Sequence, residues 1–142
     1  MKIAMTHRIL RGALGLAVLA LPLAFCGCES SDTETDISTT RFNVDKAMRN
    51  VTDTDEYVWD TTLSEPLATL RINDFIEGDT TLRIYDGRGI LVLSAALNTR
   101  DSVYFSGDDL YFQRRINRGE PGQWRIVLGY EDFTGDYDLT LE

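Results

Sequence analysis

Apolar and polar residues alternate with a period of two through most of the chain beyond position 40. Leu70 and Ile72 alternate with Arg71 and Asn73, and Leu82 and Ile84 with Arg83 and Tyr85. Trp124, Ile126, Leu128 and Tyr130 share one face, and Tyr137, Leu139 and Leu141 repeat the pattern. Such alternation marks half-buried β-strands, because successive side chains point to opposite faces. The expected strands are roughly 42–46, 56–62, 67–73, 80–86, 90–95, 101–106, 110–116, 123–130 and 136–142. Turn chemistry separates them at Gly78-Asp79, Asp86-Gly87-Arg88-Gly89, Gly107-Asp108, Arg118-Gly119-Glu120-Pro121-Gly122 and Thr134-Gly135-Asp136. Eight or nine short strands without a useful helical period predict an all-β fold, a single antiparallel β-sandwich of jelly-roll-like form. Its last two strands are expected to pair as a hairpin.

Upstream the pattern changes. Met1 to Arg11 carries Lys2, Arg8 and Arg11, and Gly12 to Phe25 follows as an uncharged run rich in Leu and Ala, the layout of an export signal. That run is shorter than the roughly 20 residues a spanning helix needs. Its end, Leu23-Ala24-Phe25-Cys26-Gly27-Cys28, resembles the lipobox of bacterial lipoproteins, in which a small residue precedes a cysteine that is lipidated on sulfur and becomes the mature N-terminus. Gly27 puts Cys28 in that role, and Cys26, preceded by bulky Phe25, is the alternative. The resemblance implies three acyl chains such as palmitate. At about 0.8 kcal/mol per buried methylene, these hold a protein to a membrane essentially permanently. Neither cysteine is followed by Asp, the residue that family uses for inner-membrane retention, so the implied address is the bacterial cell envelope with the outer membrane favoured. Three segments are therefore expected: a signal peptide at 1–27, a lipidated cysteine with a flexible Ser/Thr/Asp/Glu tether at 28–40, and the sandwich at 41–142.

Cleavage before Cys28 removes three cations and no acid, taking the net charge from −9 to −12. Such a surface repels phosphates, so neither nucleic acid nor nucleotide is an expected partner. The one histidine, His7, lies in the signal segment, which removes Ser-His-Asp and Cys-His nucleophiles and His-based zinc sites from the mature chain. Both cysteines also lie at or before position 28, leaving the domain without a thiol.

Asp53-Thr54-Asp55-Glu56-Tyr57-Val58-Trp59 resembles the entry to an early strand of the bacterial pre-peptidase C-terminal domain. Leu82-Arg83-Ile84-Tyr85-Asp86-Gly87-Arg88-Gly89 is similar to that family's central strand and Asp-Gly turn, and Gly122 to Leu128 with Gly135 to Leu139 to its closing hairpin. The resemblance runs from Asp53 to the C-terminus and implies a jelly-roll-like sandwich. Family members usually accompany secreted hydrolases, whereas no catalytic domain is expected within this sequence.

The chemistry that remains is that of a surface. Asp53, Asp55 and Glu56 form an acidic cluster of the kind that offers oxygen ligands to calcium, although the spacing of a helix-loop-helix calcium site fails, with Val58 where its glycine belongs. Asp108 with Asp109, and Asp136 with Asp138, are further acidic turns, with solvated carboxylates the plain alternative. No other cofactor is expected. Arg114, Arg115 and Arg118 form the basic cluster, read as charges that blunt a sheet edge. Adjacent aromatic pairs such as Tyr104-Phe105 and Tyr111-Phe112 must send one ring to each face. Tyr57, Trp59, Tyr104, Tyr111 and Phe133 are therefore the expected ligand-contact residues of a non-catalytic module for an envelope protein or glycan. A purely structural envelope component and a carboxylate-based hydrolase are the alternatives.

Overall fold

The computed structural model describes residues 33–97, 104–106 and 109–142, with 104–106 described as backbone only. Cys26, Cys28 and the signal segment lie outside these residues. The described chain forms seven strands: β1 (Thr33–Ile37), β2 (Phe42–Thr61), β3 (Leu67–Tyr85), β4 (Leu91–Leu97), β5 (Tyr104–Ser106), β6 (Asp109–Arg115) and β7 (Gly122–Leu141). They make one antiparallel sheet in the order β1-β2-β7-β3-β6-β5, with β4 also on β3. The all-β antiparallel sandwich expected from the alternation is the observed class. The strand count is lower, because three pairs of expected strands are in fact single long ones.

Those long strands fold back on themselves. Phe42 and Trp59 stand at opposite ends of β2, about 56 Å apart along a straight strand at 3.3 Å per residue, yet their ring centroids are 6.3 Å apart. The bend occurs where the ladders lose register, between Met48 and Asp53 against β7 and between Asn73 and Asp79 against β7. Asn50, Asp74, Asp132 and Gly78 take positive φ there. An inserted residue switches which parity faces inward. Accordingly β2 buries Phe42, Val44 and Met48 before the bend but Trp59 and Thr61 after it, and β7 buries Trp124 to Tyr130 at even positions and Phe133 to Leu141 at odd ones.

The sheet thus becomes two layers. The first holds β1, the opening half of β2, the closing half of β7, the opening half of β3, then β6 and β5. The second holds the closing half of β2, the opening half of β7, the closing half of β3, and β4. One core lies between them, led by Trp59, Trp124, Tyr137, Phe42 and Phe133. Two expectations need correction. Residues 123–130 and 136–142 are halves of β7 in different layers, because Thr134-Gly135 continues the strand through its bend and β2 and β3 flank it. Thr33–Ile37, expected as tether, pairs with Phe42 to Lys46 as an edge strand whose five residues are all exposed.

Candidate functional site

Inward-facing positions near the bend gather a polar cluster between the layers. Lys46, before the bend in β2, ion-pairs at 2.7 Å with Asp55, after it. The Asp55 carboxylate also accepts from the hydroxyls of Tyr130 at 3.2 Å and Tyr137 at 3.3 Å, and the Tyr57 and Tyr137 hydroxyls lie 2.8 Å apart. Tyr130 and Tyr137 stack at 5.7 Å. Burial pushes the Tyr57, Tyr130 and Tyr137 hydroxyls above their ordinary pKa, so they act as neutral hydrogen-bond donors. This arrangement fastens one layer to the other; its members serve each other rather than a ligand.

It also corrects the expected aromatic surface. Trp59 is fully buried against Trp124, its indole N–H donating to the Ser38 carbonyl at 2.6 Å, and Phe133 is fully buried beside Phe75 and Tyr130. Tyr57 faces the same interior. The shift of parity at the bend turned these rings inward. The expected calcium cluster disperses for the same reason: Asp53 sits at the rim, Asp55 points between the layers to Lys46, and Glu56 points outward to Arg125 at 3.4 Å. Among the described residues no three His, Cys, Asp or Glu side chains gather to hold a metal ion. Asp136 ion-pairs with Arg49 at 2.9 Å, Asp109 is exposed, and Asp108 lies outside the described residues. In the basic cluster Arg114 covers the Phe112 ring, Arg115 donates to the Glu65 carbonyl at 3.0 Å, and Arg118 takes φ 64° in a turn.

Tyr111 does face outward, on the first layer. Register places it in a row running Glu34, Asp45, Asp138, Arg71, Tyr111 across β1, β2, β7, β3 and β6, with the Tyr104 backbone next in line. The Tyr104 side chain lies outside the described atoms. Arg71 holds its guanidinium 5.7 Å from the centre of the half-buried Tyr111 ring. The neighbouring row is Asn43, Thr140, Thr69, Gln113, where the Asn43 amide donates to Asp138 at 2.9 Å and to Thr140 at 3.0 Å, and the Gln113 amide donates to Thr69 at 3.2 Å. The acidic half has a clear field: burial, then the nearby Asp138, Asp136 and Glu34, push the Asp45 carboxyl above its ordinary range. Tyr104, Tyr111 and the Asp136–Asp138 pair stood out in the sequence; the other residues were not legible as part of a site, because only strand register brings them together.

A shallow depression of about 180 Å³ lies at the bend of the second layer, with Gly129 at its floor and Asp53, Asp79 and Glu131 on its rim. At the far end of that layer Asp86, 1% exposed, accepts from the backbone N–H groups of Arg88, Ile90 and Glu120 at 3.0, 2.9 and 3.1 Å. Burial raises its pKa, but these three bonds and the Arg88 charge outweigh it and hold the carboxyl below the ordinary range. It pins two turns together.

No protein-family model and no curated protein matches the chain. Among solved structures it is similar to TmCBM61 in complex with β-1,4-galactotriose, at 13% identity over 76% of this chain and 65% of that one, with a TM-score of 0.43. It is also similar to structures of infectious bursal disease virus, Gx and Gt strains, at 15% and 13% identity over 92% of this chain and 37% of theirs, each with a TM-score of 0.34. The chain spans less than two thirds of the length of each of these relatives.

Proposed function

We propose that the protein is a lipid-anchored, non-catalytic binding module of the bacterial envelope, held by Cys28, and that it takes a neutral glycan on the outer face of its first layer. The observation that supports this reading is the pair of adjacent rows through Arg71 and Tyr111. They present amide, hydroxyl, carboxylate and guanidinium groups around a half-exposed ring on rigid sheet. Ligand sites set a few convergent polar groups against apolar or aromatic surface, and sugar hydroxyls match such groups. Glu34, Asp45, Asp136 and Asp138 lie on the same face, and their combined field disfavours a polyanionic chain. A hydrolase would need its carboxylates in a cleft that holds the sugar, and the carboxylates of Asp53, Asp79 and Glu131 line only a shallow depression of about 180 Å³ among the described residues.

The test is calorimetric titration of a panel of neutral and acidic oligosaccharides. A neutral member should bind, and Tyr111→Ala and Arg71→Ala should each weaken it roughly tenfold or more while leaving the melting temperature nearly unchanged. Equal affinity of wild type and both variants, or no binding across the panel, would remove the glycan reading.

A further inference from the structure

The two layers differ in width on the β2 side. In the first, β1 lies outside β2; in the second, the closing half of β2 pairs with β7 alone and forms the edge. No described strand therefore lies opposite β1. Thr35 and Ile37 are the register partners of the buried Val44 and Phe42 and point the same way, toward the inner side. Both are nevertheless exposed, Ile37 by 48%. Asp55 and Tyr57, the inward residues of the adjoining edge, are only half-buried for the same reason. The backbone of that edge is open as well. At one end the Thr54 N–H turns to the Asp53 carboxylate at 2.7 Å, and at the other the Thr62 N–H donates to the Thr39 carbonyl at 3.2 Å. Backbone groups alternate in direction along a strand, so those of Glu56, Val58 and Asp60 point to this side too, where no described strand pairs with them. The result is a shelf one strand wide, with a hydrogen-bonding wall and a floor of Thr35 and Ile37.

We infer that this shelf takes an extended segment of a partner protein, added as a further strand beside the closing half of β2, with basic residues on either side of an aliphatic one at alternate positions. In strand addition the main chain supplies the hydrogen bonds and alternate side chains set the preference. The outward residues of the added strand stand beside Glu56, Val58 and Asp60, and opposite charges across a ladder stabilise it whereas like charges weaken it. The matching pattern is cation, aliphatic, cation at every second position, with the residues between them turned inward against Tyr57 and Ile37. Asp60 has no ion-pair partner among the described residues, and the half-exposed Glu56 reaches Arg125 at 3.4 Å. The same charges argue against two other occupants. Two copies paired antiparallel about Val58 would set Glu56 of each against Asp60 of the other. Residues 29–32, which precede β1, read Glu-Ser-Ser-Asp and carry the same sign as the edge. The shelf uses the inner side of β1, whereas the glycan rows lie on the outer face of the first layer, and neither reading depends on the other.

The experiment is fluorescence anisotropy with the full-length protein in detergent and a labelled synthetic peptide, Thr-Lys-Thr-Val-Thr-Lys-Thr, which reads the same in either strand direction. Its counterpart carries Glu in place of both Lys. The Lys peptide should bind, and the Glu peptide should bind roughly tenfold more weakly or worse. Glu56→Lys combined with Asp60→Lys should reverse that preference. Val58→Pro removes one N–H from the open edge, a place where proline is tolerated, and should weaken the Lys peptide roughly tenfold or more. Circular dichroism melts check that both variants fold; should the proline variant melt early, the charge reversal decides, since it alters only exposed side chains. No binding of the Lys peptide overturns the inference, as does a preference that the charge reversal leaves in place. Binding unchanged in a folded Val58→Pro also overturns it, by showing mere attraction of a cation to an acidic surface. A dimer seen by ultracentrifugation without peptide and lost in Val58→Pro would overturn the choice of occupant in favour of a second copy.

Discussion

At the scale of single residues, side-chain chemistry was easier to read than side-chain direction. Tyr57, Trp59, Tyr111 and Phe133 are similar rings on similar strands, yet only Tyr111 faces outward, because the direction of the others depends on an inserted residue several positions away. Asp86 was recognisable as a turn former, but its second turn, through the Glu120 N–H, comes from a residue far along the chain. This carboxylate makes a pH prediction. Its folded pKa lies below the ordinary Asp value near 3.9, so the stability it contributes is complete above that range and is lost as pH falls through the lower, folded value. Asp86→Asn exchanges one acceptor oxygen for a donor and should melt several degrees below wild type at pH 7. The gap should narrow between pH 7 and an acidic pH well below the ordinary Asp range, as the wild-type carboxyl takes up its proton. Melts followed by circular dichroism at the two pH values check this, and a gap that stays constant would show that charge is not the cause.

At the scale of elements, the alternation located the strand residues well but misjudged where strands end. Gly78-Asp79 and Thr134-Gly135-Asp136 have turn composition, and both sit in β-strands at the bend. Glycine and asparagine or aspartate serve turns and bulges alike, since each needs the positive φ that other residues resist. Gly78 shows the demand most clearly. Its φ is 98°, and a Cβ built there would lie 2.5 Å from the Asp132 carbonyl oxygen and the Phe133 Cα, both backbone atoms of the neighbouring strand. Gly78→Ala should cost roughly 3 kcal/mol or more, from backbone strain and steric overlap together. Gly89, at φ 76° with nothing within 4 Å of its Cβ position, isolates the strain, and Gly89→Ala should cost about 1 kcal/mol. Urea denaturation measures both, and equal costs would show that close approach at the bend is unimportant.

At the scale of the whole molecule, the folded sheet separates two outer surfaces, one on each layer, and the polar, partly acidic surface of the first layer is the face of the proposed glycan. The address belongs to this scale as well. Cys28→Ala should move the protein from the membrane pellet to the soluble fraction on cell fractionation, whereas Cys26→Ala should leave it in the pellet. Retention of the Cys28 variant with lipid would remove the anchor reading. Sequence by itself determined the class and the chemical inventory: period-two alternation requires strands with one buried face, and the absence of histidine and thiol beyond Cys28 limits catalysis. Tertiary structure decided which strands were continuous, which rings turned inward, and which charges met. Those outcomes depend on register between strands up to about a hundred residues apart, as between Phe42 and Leu141, and a single inserted residue reverses every side chain beyond it.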